Sequence, residues 1–236
     1  MNSIATPSQP TLRPTGRPAP STVPTPIDRT LSPVEQAYQY ILNGILSGEL
    51  TPGMRVPSET IADALGISRM PVRDALRSLE GAGVVTIFAN RGAAVAKYSQ
   101  SEVTQLIEMR AVLEGLAARL ALPNIGPNEL EELDHLRRKM LKAVDSLGTW
   151  MALHDEFHNY LTSLSQRALL LQQTERMRLM LLPYYRRYYA QSREMEINGS
   201  EHQKILSAIE HKDPTLLEQI VRGHALINVA KVAELA

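Results

Sequence analysis

Between residues 57 and 80 the sequence leaves room for two helices and almost nothing between them. Pro57, Ser58 and Glu59 open a short helix whose Ile61, Ala62 and Leu65 face inward. Gly66 breaks it, and only Gly66 and Ile67 separate Leu65 from Ser68. Over 68–80, Val72, Ala75, Leu76 and Leu79 recur at three- and four-residue steps and build one apolar stripe. Arg69, Arg73 and Arg77 recur every fourth residue and build a second stripe about a quarter turn away, which faces outward when the first packs inward. Ser68 suits an N-cap and Pro71 falls in the first turn, where its missing N–H costs nothing, so the positive dipole end sits beside the first arginines. Three arginines alone would also fit a solvated surface. A short helix, a glycine turn and an arginine-bearing helix together predict a helix-turn-helix, whose second helix enters the DNA major groove.

The flanks support this. Ser32 and Pro33 begin an amphipathic helix carrying Val34, Ala37, Tyr38, Ile41, Leu42, Ile45 and Leu46, which ends near Ser47 at Gly48; Thr51, Pro52 and Gly53 form a turn. After Gly83 the period changes: 84–88 is β-prone, Asn90, Arg91 and Gly92 form a turn, and 93–96 is β-prone again, which predicts a two-stranded hairpin. Behind a helix-turn-helix such a hairpin is a wing, with Arg91 at its tip to reach a minor groove or phosphates. Residues 1–28, crowded with proline, predict a disordered tail, and Arg13, Arg17 and Arg29 are assigned to a solvated linker.

From Ser101 onward no strand signal appears. Six helices are expected near 101–122, 127–146, 148–164, 167–190, 194–211 and 213–233, the first capped by Ser101 with Thr104 too short to complete a capping box. The fold class is therefore mainly α, a winged helix-turn-helix over 29–98 followed by an all-α helical bundle over 99–236. The absence of cysteine excludes disulfides and thiolate metal sites and suits a reducing cytoplasm. No apolar run approaches the roughly 18 residues of a membrane span. Lys+Arg and Asp+Glu both number 25, so any grip on nucleic acid must come from a local patch rather than overall charge.

Four of the six histidines form a pattern. His154 and His158 are one helical turn apart and share a face, while His202 and His224 fall on the last two helices, each within a core-facing run. Any one of them alone is more often a core or surface histidine; together they suggest a divalent metal site. The segment from His154 through Asp155, Glu156 and Phe157 to His158 departs from the zinc-peptidase H-E-x-x-H, because Asp155 stands where the glutamate base belongs and Glu156 points about 200° away. No nucleophile arrangement or phosphate-cradling loop accompanies it, so an enzyme is not expected. Arg110 lies in the core-facing stripe of Val103, Leu106, Ile107, Leu113 and Ala117, and a buried guanidinium must be paired. Glu114, one turn on, is its expected partner. Trp150 is assigned to the core, and Tyr184-Tyr185-Arg186-Arg187-Tyr188-Tyr189 to packing between helices or across a dimer, with hydroxyls or cations lent to an effector cavity as the alternative.

Residues 32–97 resemble the winged helix-turn-helix of the GntR family of bacterial transcription regulators, through Leu50-Thr51-Pro52-Gly53, Leu65-Gly66-Ile67-Ser68-Arg69, Pro71-Val72-Arg73-Asp74-Ala75-Leu76, Leu79 with Gly83-Val84-Val85, and Gly92. The resemblance implies base and phosphate contacts from Ser68, Arg69, Met70 and Arg73 and a wing tip at Gly92; Arg77, Arg91 and Arg55 complete the expected DNA-binding set. One departure is Glu59, where the family often has an arginine; Arg55 is a possible replacement. Residues 101 to about 226 resemble the all-helical FCD ligand-binding domain of the FadR branch, through Glu108-Met109-Arg110, Leu113-Glu114, Phe157-His158, Glu201-His202 and the segment from Asp213 to His224. That resemblance implies a divalent ion, zinc first with nickel or manganese as alternatives, on His154, His158, His202 and His224, with Arg110 forking onto a small carboxylate effector. His154 replaces the family's aspartate, so the ion carries one fewer compensating negative charge; Asp155 is the alternative ligand. The implied protein is a homodimeric repressor released from a palindromic operator by its ligand. A non-allosteric architectural DNA binder is the first alternative, and a metal-dependent enzyme with a DNA-binding appendage the second.

Overall fold

A computed structural model describes residues 28–192 and 195–236, without the side chains of 196–199. The expected tail lies outside the described residues apart from Asp28. Helix α1 (Pro33–Ser47) opens as a capping box: the Ser32 hydroxyl accepts the Glu35 N–H at 3.3 Å and the Glu35 carboxylate accepts the Ser32 N–H at 2.9 Å. It ends at Gly48, whose φ of 85° is left-handed. The left-handed φ is what favours glycine there; the Arg186 guanidinium also lies where a Cβ would go, but as the end of a flexible side chain it can shift aside. Strand β1 (Arg55–Val56), α2 (Ser58–Leu65) and α3 (Arg69–Gly81) follow, then β2 (Val85–Phe88) and β3 (Gly92–Val95).

Helices α2 and α3 and the turn at Gly66 stand where the spacing predicts. Ser68 occupies the N-cap position of α3, but its hydroxyl makes no capping bond. The sheet has three strands in the order β1-β3-β2, rather than the expected hairpin of two, because Arg55 pairs with Ala94 and Val56 with Ala93. Two residues are too short a run to show alternation, so sequence pattern cannot reveal β1. Ala37, Ile41, Ile45, Val56, Ile61, Val72, Ala75, Leu79, Val85 and Val95 are all buried and close the core of this half. Each large side chain among them contributes about 1.5–3 kcal/mol of transfer free energy.

The second half contains α4 (Gln100–Ala121), α5 (Pro127–Lys142), α6 (Leu147–Ser163), α7 (Ala168–Ser192), α8 (Met195–Glu210), α9 (Pro214–Leu226) and α10 (Val229–Ala233). Two expectations are corrected. The cap of α4 is Ser99, whose hydroxyl and N–H complete a box with Glu102, not Ser101. The predicted last helix divides after Leu226 and resumes at Val229. Helix α4 runs against α9, α7 and α6. Its Gly115 lets α9 approach closely, since a Cβ there would collide with the Arg222 side chain. The two halves meet along α7: the Tyr98 N–H donates to the Tyr184 hydroxyl at 2.7 Å, and Arg186 donates to the Leu46 carbonyl at 3.2 Å and to the Ser47 carbonyl. Among the described residues no helix is long and apolar enough to cross a membrane.

Candidate functional site

Helix α6 presents His154 and His158 one turn apart, α8 brings His202, and α9 brings His224. All four offer ring nitrogens within 4.8 Å of one another. The Nε2 of His158 lies 3.1 Å from that of His224 and 3.3 Å from that of His202. With metal–nitrogen bonds of about 2.0–2.1 Å, the edge of a regular tetrahedron is about 3.3–3.4 Å, so these separations match those of ligands on one ion. Burial holds His154 below the ordinary imidazole pKa, and His158 and His224 well below it, so their lone pairs are available near neutrality. Nitrogens packed this closely cannot all be satisfied by shared protons, and His224 Nδ1 is buried with no hydrogen-bond partner among the described residues. A cation at the convergence of these lone pairs satisfies them together, so the residues fit a metal ion. The Asp155 carboxylate is turned away toward Arg178, 3.3 Å from its Nη1, and stands 3.8 Å from His154 Nδ1.

Beside the histidines lies a buried ion network. Arg110 is 6% exposed and donates to the Tyr185 hydroxyl at 2.8 Å, while its Nε stands 3.6 Å from Glu114, too far for a hydrogen bond. The expected Arg110–Glu114 pairing is therefore only partial, because Arg178 of α7 takes Glu114 at 2.5 Å. Arg178 is the residue that sequence reasoning missed. It sits in the stripe Thr174, Arg178, Leu181 and Leu182, all buried, where a guanidinium needs a partner for the same reason as Arg110. Arg110 Nε and Arg178 Nε are both buried and find no hydrogen-bond partner among the described residues. A narrow cavity of about 20 Å³, room for one water, is lined by Arg110, Glu114, His154, Arg178, Tyr185 and His224 among others. A second lobe shares Arg110, His154 and Arg178 and adds Trp150, Met151 and Leu182.

In the first half, Ser68, Arg69, Arg73, Arg77, Arg91, Gly92 and Arg55 are all exposed, and Met70 is 57% exposed. Arg69 is not free: it pairs with Glu59 of α2 at 2.7 Å. Both partners are solvated, where such pairs contribute about 0–1 kcal/mol, so a stronger anion displaces Glu59 at little cost. Arg77 pairs loosely with Asp74 at 3.4 Å. Arg55 lies against Gly92, because β1 pairs with β3, so its guanidinium sits beside the wing turn. Asn90 adopts a φ of 59° in the wing turn.

Residues 105–226 match the FCD domain and residues 33–95 the gntR family of bacterial regulatory proteins. An uncharacterised HTH-type transcriptional regulator of Mycobacterium tuberculosis is 34% identical over 112 residues, 48% of this chain and 46% of that protein, so the match spans about half of that relative's length. The HTH-type transcriptional repressor GlaR of Escherichia coli is 26% identical over 200 residues, 80% of this chain and 90% of that one. Among solved structures, E. coli McbR/YncC superposes with a TM-score of 0.78 at 22% identity, covering 86% of this chain and 98% of that one, a likeness of fold.

Proposed function

The chain belongs to the gntR family of bacterial regulatory proteins and carries an FCD domain, and from that premise we propose that it is a ligand-responsive, DNA-binding transcription regulator rather than an enzyme. The observation that carries this reading is that one helix touches both the buried cavity and the DNA head. Arg178, Tyr185 and Tyr189 of α7 line the cavity. Tyr184 and Arg186, on either side of Tyr185, hold Tyr98 and the last carbonyls of α1. A ligand that draws Tyr185 away from Arg110 shifts its neighbours on the same helix and so biases the head. An architectural DNA binder has no use for such a link.

Residues 29–98 form the DNA-binding unit and 99–236 the effector-binding and dimerising unit. Arg69 and Arg73 reach guanine edges, Met70 offers an apolar contact to a thymine methyl, and Ser68, Arg77, Arg55, Arg91 and the wing tip at Gly92 address the backbone. Two copies read a palindromic operator in the cytoplasm, since one helix spans only a few base pairs. Repression is the sign suggested by relatives whose names carry it. His154, His158, His202 and His224 hold a divalent ion, zinc first; when bound it supplies a Lewis-acidic anchor for an anionic oxygen. Arg110 holds and orients the acid that reaches this cavity.

Arg73→Ala should weaken binding to a palindromic duplex by about 1–3 kcal/mol per half-site, measured by fluorescence anisotropy. Unchanged affinity removes α3 from the groove. Arg186→Ala should leave metal and carboxylate binding intact while reducing the effect of the carboxylate on DNA affinity, a coupling of about 1–3 kcal/mol in regulators of this kind. If the variant responds to ligand as fully as the natural chain, α7 is not the link.

A further inference from the structure

We propose that Glu59 is a positioning residue for base recognition: its ion pair with Arg69 steers that guanidinium onto a guanine edge and away from the DNA backbone. The inference rests on the reading of α3 as the groove helix and names what sharpens its selectivity. Arg69 opens α3 and Glu59 stands in the first turn of α2, with Nη1 and Oε1 2.7 Å apart and the two side chains 71% and 68% exposed. Val72, Ala75, Leu76 and Leu79 turn the other side of α3 into the core, so the pair lies on the face left for a duplex. Glu59 and Asp74 engage Arg69 and Arg77, and Arg73 between them makes no ion pair among the described residues. Helix α3 therefore offers the groove one arginine that is held and, one turn on, one that is not.

A guanine edge presents acceptors and no net charge, so Arg69 satisfies it with the donors that Glu59 leaves over and keeps its ion pair. A phosphate is a competing anion. To turn onto one, Arg69 must bring Glu59 along or release it, and either way a carboxylate is left facing the negative charge of the backbone. The solvated pair is weak in the unbound chain, but beside a polyanion its penalty recurs in every non-specific contact. Glu59 thereby lowers affinity for DNA at large and leaves the guanine contact intact. A guanidinium already held at one end also loses less rotamer freedom when it docks on a base.

The test selects binding sites from a randomised duplex library with the full-length chain and compares Glu59→Gln, Asp63→Asn, Arg69→Ala and Arg73→Ala. Asp63 is an exposed carboxylate one turn beyond Glu59 on α2 that makes no ion pair with Arg69, so its variant removes the same charge without releasing that arginine. The position whose guanine preference disappears in Arg69→Ala is the one Arg69 reads. There, Glu59→Gln should cut the preference at least about fivefold, while the position read by Arg73 keeps its own. Affinity of Glu59→Gln for unselected duplex should rise, with a salt dependence steeper by about one phosphate contact per protomer. Asp63→Asn should leave both preferences unchanged. The inference is overturned if Arg69→Ala erases no guanine preference, if Glu59→Gln leaves that preference intact, or if Glu59→Gln weakens every sequence alike, as a merely structural residue would. An equal loss of preference in Asp63→Asn also overturns it, because charge alone would then be the cause. If Glu59→Gln still alters the same position once Arg69 is replaced by alanine, Glu59 contacts the base itself and does not act through Arg69. A natural chain that enriches no sequence overturns this inference and the groove reading together, whereas the other outcomes leave the groove reading standing.

Discussion

Replacing Glu114 with alanine should lower the unfolding free energy by about 3–5 kcal/mol, the usual cost of stranding a buried ion-pair partner. Glu114 is 3% exposed and stands between two guanidiniums that are 6% and 5% exposed, accepting from Arg178 at 2.5 Å and lying 3.6 Å from Arg110. Without it, Asp155 is the remaining carboxylate of the network, and its side chain is 38% exposed and reaches Arg178 but not Arg110. Arg110 would keep the Tyr185 hydroxyl, a neutral acceptor that compensates no charge. For a chain of this length the loss corresponds to a fall in Tm of roughly 6–20 °C. Denaturant unfolding should show a lower midpoint at unchanged slope, since the surface exposed on unfolding does not change. Replacing Glu114, Arg110 and Arg178 together with apolar residues of similar volume should recover much of the loss, because removing a buried ion network whole is often neutral. A loss below about 1 kcal/mol for Glu114→Ala would mean that the arginines are solvated and the network is not a closed one.

This network also marks the limit of what the sequence disclosed. The helix-turn-helix, α1 and the four histidines were legible because each rests on spacing within one element: two residues at Gly66, four-residue steps on α3, one turn between His154 and His158. That His202 and His224 come to the same point follows from core-facing runs on α8 and α9, which periodicity shows. Partner choice between elements is different. Glu114 is one turn from Arg110, yet it is Arg178, 64 residues away on α7, that claims it. The helix spacing gave the local candidate and no measure of which facing helix would compete. The Arg69–Glu59 pair depends likewise on the crossing of α2 and α3, although Glu59 was visible as a departure from the family pattern. Strand β1 and the break at 227–228 were hidden for another reason: two-residue features carry no period.

The second large effect concerns His158. Its Nε2 is near those of both His202 and His224, so it is the hub of the cluster, and His158→Ala should lower metal affinity by more than about 100-fold, beyond the roughly 10–100-fold that loss of an outer-shell partner costs. Acid separates this site from a set of surface histidines. Burial depresses the folded pKa of His154, His158 and His224, so between that low value and about 6.5 the unfolded chain takes up protons that the fold refuses. Stability of the metal-free chain is therefore full above pH 6.5 and declines below it, by about 1.4 kcal/mol per pH unit for each such proton. Metal affinity of the folded chain follows the folded pKa instead, because a ligand must be deprotonated to bind. Zinc binding measured while the chain remains folded should stay flat as the pH falls through 6.5, even as the metal-free chain melts at progressively lower temperature. Exposed imidazoles would lose zinc affinity steadily as the pH falls below about 6.5, and observing that fall would contradict a buried site, while a His158→Ala chain that retains its metal would show that His158 is not a ligand.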